Sequence, residues 1–158
     1  MPLPEEPRIA RVAPGRFAIS LPRPERLLLR SLLPELRALV EGRDPTTRRL
    51  FPVAYPDDAD KEREYQSMMA GELLESRLAA VETLKSTLGQ KEIGSAELER
   101  WMEAINSLRL VLGTRLDVTE ELPVLEPDDP DAAAYAVYDY LGWLLEQAVK
   151  AQMDDFGS

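Results

Sequence analysis

The sequence predicts a mainly α-helical fold: a four-helix bundle-like single domain with a short N-terminal β-hairpin. Four segments place apolar residues at alternating spacings of three and four, which is the repeat of an amphipathic helix. Prolines and glycines separate these segments and interrupt the helical pattern between them. A chain of 158 residues is long enough to bury one core. We therefore expect one domain over residues 8–153, between a flexible leader (1–7) and a short tail (154–158).

The hairpin is predicted over residues 8–21. The dipeptide Pro14-Gly15 is a turn signal, and three apolar residues follow it at every second position: Phe17, Ile19 and Leu21. A period of two is typical of a strand with one buried face. Because an isolated hairpin is marginally stable, we expect this face to pack against the helices.

Helix one is predicted over residues 24–41, with Pro24 in its first turn and Gly42 after its last. Pro34 should kink this helix or divide it near Arg30, because proline removes a backbone donor. The predicted buried face consists of Leu28, Leu32, Leu36 and Leu39, widened by Leu29 and Leu33. A separate arginine face is either solvated or an electrostatic contact, and it consists of Arg23, Arg26, Arg30 and Arg37.

Helix two, predicted over residues 59–88, is the longest. It opens with Tyr65, Met68 and Met69, and its apolar stripe continues through Leu74, Leu78, Val81, Leu84 and Leu88.

Helix three is predicted over 95–112, with Ser95 as its N-cap and Gly113 as its C-terminal cap. Its buried positions are Leu98, Trp101, Ile105, Leu108 and Leu112. We expect Trp101, Asn106 and Gly113 to have structural roles.

Helix four is predicted over residues 130–153, after an acidic, proline-broken linker over 117–130. Asp129 is its expected N-cap and Pro130 its expected first residue. The predicted inner face consists of Tyr135, Tyr138, Leu141, Leu145 and Ala148.

The composition excludes several classes of chemistry. The chain has no cysteine and no histidine, so it forms no disulfide, offers no thiolate or imidazole to a metal, and lacks the commonest general base. The remaining carboxylates, lysines, serines and tyrosines form no recognisable catalytic set. We therefore expect a protein that is not an enzyme, with no cofactor and no metal site.

The charge distribution argues against a nucleic-acid partner, and the lengths of the apolar runs argue against a membrane. The net charge is −10, and residues 51–158 are the acidic part of the chain. A nucleic-acid interface needs a concentrated basic face instead, so we expect no direct nucleic-acid binding. No apolar run approaches the roughly 18 residues that would span a bilayer, and the leader lacks an apolar core typical of a signal peptide. We expect a cytoplasmic protein.

The segment 44–58 is the candidate partner-binding segment. Prolines interrupt it, yet it holds two arginines and several apolar residues where an interhelical connection is usually polar. Arg49, Phe51 and Tyr55 are the candidate contacts, because arginine and aromatic residues are common in binding hot spots. The alternative interpretation is that Phe51 and Tyr55 only attach the segment to the helices.

Arg109 lies among apolar positions of helix three, and this placement permits two interpretations. A buried arginine left unpaired costs roughly 3–5 kcal/mol, so Arg109 either clamps neighbouring loops or helix ends, or lines a partner or anion pocket. In the second case Arg49 and Arg115 would converge with it on one anion. A homodimer formed through an apolar patch of helix two or four is a third hypothesis.

Two groups of residues resemble the signatures of one family. The first comprises Arg49-Leu50-Phe51-Pro52, Ala54-Tyr55, Asp57-Asp58 and Glu64-Tyr65, and the second comprises Trp101, Asn106, Leu108-Arg109-Leu110 and Leu112-Gly113-Thr114-Arg115-Leu116. Together they are similar to an actinobacterial domain-of-unknown-function family that includes actinomycete oxidative-stress regulators. Ser107 departs from the pattern, which has an acidic residue at this position.

The resemblance implies a regulator that binds a protein partner. It implies modulation of transcription through a sigma factor, with an adaptor linked to Clp proteolysis as an alternative. Disulfide switching, which has been associated with the family, is impossible within a chain that has no cysteine.

Overall fold

The computed structural model describes residues 6–117 and 128–157. Its strands are β1 (Ile9–Ala13), β2 (Arg16–Ile19) and β3 (Glu92–Gly94). Its α-helices are α1 (Arg23–Glu41), α2 (Ala59–Thr87), α3 (Ser95–Arg115) and α4 (Ala132–Phe156), and a 3₁₀-helix covers Pro45–Leu50. The protein is mainly α-helical, as the sequence predicted.

The predicted hairpin is present, and it belongs to a three-stranded antiparallel sheet. Strands β1 and β2 meet at a turn where Gly15 has a φ of +67°, a conformation that glycine adopts without strain. The predicted apolar face is buried: Phe17 is 1% exposed, and Ile19 and Leu21 are each 8% exposed. Strand β3 was not predicted, because three residues are too few to show a period; its Ile93 pairs with Phe17 and is fully buried.

Helix α1 runs as one helix through Pro34, so the predicted division near Arg30 is wrong. Pro34 has no N–H to donate to the carbonyl of Arg30, one turn earlier. Both residues lie on the exposed side of the helix, where water can solvate that carbonyl group. The buried face is also rotated from the predicted one: Leu29, Leu33, Leu36 and Val40 are buried, whereas Leu28, Leu32 and Leu39 are half-buried.

Helix α2 has two unlike halves. All of its fully buried residues, Ala80, Val81, Leu84 and Thr87, belong to the C-terminal half, which packs on α1 and α3. In the N-terminal half, Tyr65 and Met69 are half-buried and Met68 is 70% exposed. The N-terminal half of α2 therefore lies largely outside the core.

Helix α3 is the centre of the core and contacts α1, α2, α4, the 3₁₀-helix and the sheet. The Trp101 ring is fully buried, and its Nε1–H donates a hydrogen bond of 2.6 Å to Oγ1 of Thr87 on α2. Thr87 in turn donates to the carbonyl of Thr83, so the indole nitrogen and its partner are both satisfied. Trp101 therefore links α3 to α2 inside the core.

Helix α3 begins at Ser95, the first residue of the predicted range, but both predicted caps are wrong. The N-cap is Gly94, and the Glu97 carboxylate accepts a hydrogen bond of 2.9 Å from the Gly94 N–H, so Ser95 is the first helical residue. At the other end the helix continues through Gly113 to Arg115. Gly113 is buried inside the helix, so it is not a C-terminal cap.

Helix α4 begins at Ala132, two residues later than predicted. Asp129 and Pro130 precede the helix; the Asp129 carboxylate accepts a hydrogen bond of 2.8 Å from the Asp131 N–H in the turn before it. The buried face consists of Leu141, Leu144, Ala148 and Ala151, whereas Tyr135, Tyr138 and Leu145 are half-buried. Most of the predicted acidic linker, residues 118–127, lies outside the described residues.

Within the described parts of the chain, no helix is long and apolar enough to cross a membrane.

Candidate functional site

The first half of segment 44–58 folds onto the core as the 3₁₀-helix. Asp44 starts this helix, because its Oδ1 accepts hydrogen bonds from the Thr46 N–H (2.9 Å) and hydroxyl (2.6 Å). These bonds from Thr46 lower the pKa of Asp44, and the positive charge of Arg115 contributes to the same shift. Thr47 and Leu50 are buried where the 3₁₀-helix packs against α3.

Phe51 attaches the end of this 3₁₀-helix to the protein. The ring is 6% exposed, and the Arg43 guanidinium carbon lies 3.9 Å from its centroid, within the range of a cation–π contact. Arg77 of α2 donates a 3.4 Å hydrogen bond to the carbonyl of Leu50. This placement favours the interpretation in which Phe51 holds the segment on the helices.

Tyr55 lies in the second half of the segment, which a carboxylate of α2 holds in place. Oε1 of Glu62 accepts hydrogen bonds of 2.8 Å from the N–H groups of both Ala54 and Tyr55. The other oxygen, Oε2, accepts a 2.7 Å bond from the Gln66 amide. The bond from Gln66, followed by those from the loop, lowers the pKa of Glu62. The loop is therefore ordered while the Tyr55 side chain remains 44% exposed.

A groove opens between this loop and the N-terminal half of α2. The rings of Tyr55 and Tyr65 meet edge to face, with centroids 6.1 Å apart and planes at 75°. The groove has a volume of about 340 Å³ and is lined by Tyr55, Lys61, Glu64, Tyr65, Met68 and Met69. Val53 (61% exposed) belongs to the same loop. We call Val53, Tyr55, Tyr65, Met68 and Met69 the Tyr55 surface.

The structure brings two of the predicted arginines together around Tyr138, where α3 meets α4. The Arg109 guanidinium carbon lies 5.0 Å from the centroid of the Tyr138 ring. A methyl group on Gly113 would lie 3.0 Å from Cε2 of Tyr138 and 3.7 Å from Nη1 of Arg49. Arg49 and Arg109 therefore both lie beside Tyr138, which the sequence had indicated only as part of an inner helix face.

Arg115 does not join this cluster. It is two residues from Gly113 on α3, and two residues turn an α-helix by about 200°. It lies beside a small apolar cleft of about 50 Å³, lined also by Leu32, Glu35, Leu36, Leu39, Leu108, Val111, Leu112 and Leu141. The three arginines proposed to converge on one anion thus occupy two places.

Asn106 is half-buried on α3, and its side chain makes no hydrogen bond to any other residue that the structure describes. Among residues 6–117 and 128–157, no group of three or more aspartate or glutamate side chains is placed to hold a metal ion.

Fold and site together define a mainly α-helical protein with an ordered, partly exposed aromatic and methionine surface at one end of its longest helix. The chain belongs to the family described as Domain of unknown function (DUF2017), whose model matches residues 7–152. No solved structure shows significant similarity to it.

Curated relatives come from mycobacteria. The chain is 32% identical over 128 residues to the "Putative oxidative stress regulator AosR" of Mycobacterium leprae (strain TN). It is 31% identical over 128 residues to the "Oxidative stress regulator AosR" of Mycobacterium tuberculosis (strain ATCC 25618 / H37Rv). Each match covers 70% of this chain and 59% of the relative, so the chain spans less than two thirds of their length.

Proposed function

We propose that this chain is a non-enzymatic regulator that acts by binding another protein, and that the Tyr55 surface and Arg49 are part of the contact. The observation that carries the proposal is the exposed, ordered Tyr55 surface outside the core. The names of the mycobacterial relatives support a regulatory role.

The Tyr55 surface has the properties that a protein contact requires. Tyrosine and arginine are common in binding hot spots, and methionine adapts its shape to different apolar partners. The bonds from Glu62 order the loop before any partner arrives, which reduces the entropy lost on binding. Phe51 packs into the core at the start of the loop and is too buried to contact a partner.

The names of the mycobacterial relatives support a role in oxidative stress, and the sigma factor is what the family resemblance implies. We propose a cytoplasmic partner in transcription, with a sigma factor as the first candidate, and a response to oxidative stress. Because these 158 residues contain no cysteine, the proposed role does not include a disulfide switch within them.

A pull-down from native cytosol tests this proposal. We expect the wild-type chain to enrich a sigma factor or RNA polymerase subunits, and Tyr55→Ser and Arg49→Glu to lose most of that enrichment. Phe156→Ser is the matched control, because Phe156 is also an exposed aromatic residue (76%) but lies at the end of α4. Equal recovery of these proteins by Tyr55→Ser and wild type, with unchanged melting temperatures, would contradict the proposed contact.

A second candidate function is anion sensing at Arg49 and Arg109. The specific observation is that both guanidiniums lie beside Tyr138, and neither pairs with a carboxylate among the described residues. Added phosphate should then raise the melting temperature of the wild type but not of Arg109→Gln. The same stabilisation in both proteins would count against this function.

A further inference from the structure

We infer that the partner segment recognised by the Tyr55 surface is a positively charged amphipathic helix. This inference rests on the function proposed above, because it names the chemistry of the partner for the same surface. It follows from the charge around the groove, the arrangement of that charge on α2, and the apolar character of the groove walls.

The chain around the groove is strongly acidic. Residues 57–75 contain seven carboxylates and two basic side chains, a net charge of −5. Arg63 pairs with Asp60 on the same helix, and Glu62 is engaged with the loop. Glu64, Glu72 and Glu75 are exposed, and the described residues form no ion pair with them. These three carboxylates are therefore available to a partner.

The three free carboxylates lie on the same side of α2 as the apolar wall of the groove. Glu64 and Glu72 are four residues before and after Met68, and positions four apart on a helix are neighbours. Glu75 is three residues beyond Glu72 and extends the row. Met68 thus stands within a row of negative charge, with Tyr65 and Met69 beside it.

This combination fits one kind of partner. An amphipathic helix places apolar residues at i, i+3, i+4 and i+7 on one face, which can enter an apolar groove. Lysine or arginine residues beside that face would meet Glu64, Glu72 and Glu75. An acidic segment or a nucleic-acid backbone would instead be repelled by the net charge of −5. Lys61, a basic residue that lines the groove, lies three residues before Glu64 on the same side of α2 and 6.0 Å from the centroid of the Tyr55 ring, so this side of the helix holds three free carboxylates and one lysine.

Defined peptides can test the inference without knowledge of the natural partner. The probe is a helical peptide of about five turns with leucine at i, i+3, i+4 and i+7 and lysine elsewhere. Its counterpart carries glutamate in place of lysine. Binding to the full chain is followed by NMR of isotope-labelled methionine methyl groups, which reports on Met68 and Met69 separately from the other methionines.

Two charge variants make the test specific. Glu64→Gln/Glu72→Gln/Glu75→Gln removes the row of carboxylates beside the groove. Glu99→Gln/Asp139→Asn/Glu146→Gln removes three exposed carboxylates from α3 and α4 and gives the same net charge. We expect the first variant to bind the lysine peptide about tenfold more weakly than wild type, and the second about as well as wild type.

The inference predicts that the lysine peptide shifts the Met68 and Met69 signals and that added salt weakens its binding. Equal binding of both peptides, equal losses in the two variants, or a concentration-dependent dimer that covers the surface would overturn it. If Tyr55→Ser still abolished capture of the partner while the charge variants had no effect, the proposed function would stand and this inference alone would fail.

Discussion

Gly113 shows how closely two helices approach at one position. Its place in α3 lies directly against the Tyr138 ring of α4, where a methyl group would be 3.0 Å from a ring carbon. Such a separation is shorter than normal van der Waals contact, so a side chain here must displace the ring or separate the helices. Displacing the ring would also disturb the contact with Arg109, whose guanidinium carbon lies 5.0 Å from the ring centroid.

We expect Gly113→Ala to lower the free energy of unfolding by about 1–3 kcal/mol, because overpacking outweighs the better helix propensity of alanine. Gly71→Ala is the matched control: Gly71 lies within α2, and no atom is within 4 Å of the added methyl group. That variant should be roughly 0.5–1 kcal/mol more stable than wild type. Urea denaturation measures both, and equal stabilisation by the two substitutions would contradict the close contact.

The sequence could not distinguish the two roles of Gly113. A glycine at the end of an apolar-periodic segment is typical of a C-terminal cap, and the same glycine also suits close packing inside a helix. Only Tyr138, from a distant part of the chain, decides between them. For the same reason Phe51 and Tyr55 looked equivalent as candidate contacts in the sequence. In the structure Arg43 covers the Phe51 ring, whereas Tyr55 is 44% exposed.

Glu62 connects α2 to the loop that carries Tyr55. One carboxylate oxygen accepts both loop N–H groups at 2.8 Å, and the other accepts the bond from Gln66. A charged acceptor makes such bonds stronger than a neutral one would. The position of Tyr55 therefore depends on a residue of the helix that forms the other wall of the groove.

We expect Glu62→Ala to increase amide hydrogen exchange at Ala54 and Tyr55 by at least several-fold, because both N–H groups lose their acceptor. Glu64→Ala is the matched control, because Glu64 lies in the same turn of α2 but its carboxylate accepts no bond from the loop. Amide exchange at Ala54 and Tyr55 should not change in this variant. NMR exchange rates provide the comparison. If the two variants gave the same rates, Glu62 would not hold the loop.

The types of the long elements could be predicted, but their buried faces could only be approximated. In α1, leucines occupy so much of the circumference that periodicity alone could not show that Leu29 and Leu33 lie deeper than Leu28 and Leu32. In α2, a continuous apolar pattern hid the difference between a buried C-terminal half and a largely exposed N-terminal half. Which residues are buried in α1 and in α2 is decided by the elements packed against each helix, and the sequence pattern does not show these.

Two charged clusters attach the N-terminal hairpin to α4, and one of them also includes α1. Arg8 pairs with Glu25 of α1 at 3.0 Å, and the Tyr140 hydroxyl of α4 donates to the same carboxylate at 2.8 Å. Burial, together with this hydrogen bond, raises the pKa of Tyr140. Asp155 of α4 accepts bonds from the Gly15 N–H (2.9 Å) and from Arg11 (2.8 Å).

The Asp155 cluster predicts a pH dependence of stability. The Gly15 N–H and then Arg11 lower the pKa of Asp155, so the folded state holds this carboxylate ionised more strongly than the unfolded chain does. Its stabilising contribution is complete above the unfolded pKa of about 4 and is lost as the pH falls through the lower folded value. The wild type should therefore lose its advantage over Asp155→Asn in that acidic range. Free energies of unfolding measured against pH test this, and a difference that does not change with pH would contradict it.

Site-specific photo-crosslinking tests most directly the claim that the Tyr55 surface contacts another protein. A photoreactive phenylalanine analogue would replace Tyr55 in one protein and Phe156 in a second, since both positions are exposed and aromatic. After irradiation in native cytosol, we expect one discrete adduct with a larger protein from position 55 and none from position 156. The absence of an adduct at position 55, or the same adducts from both positions, would contradict the claim.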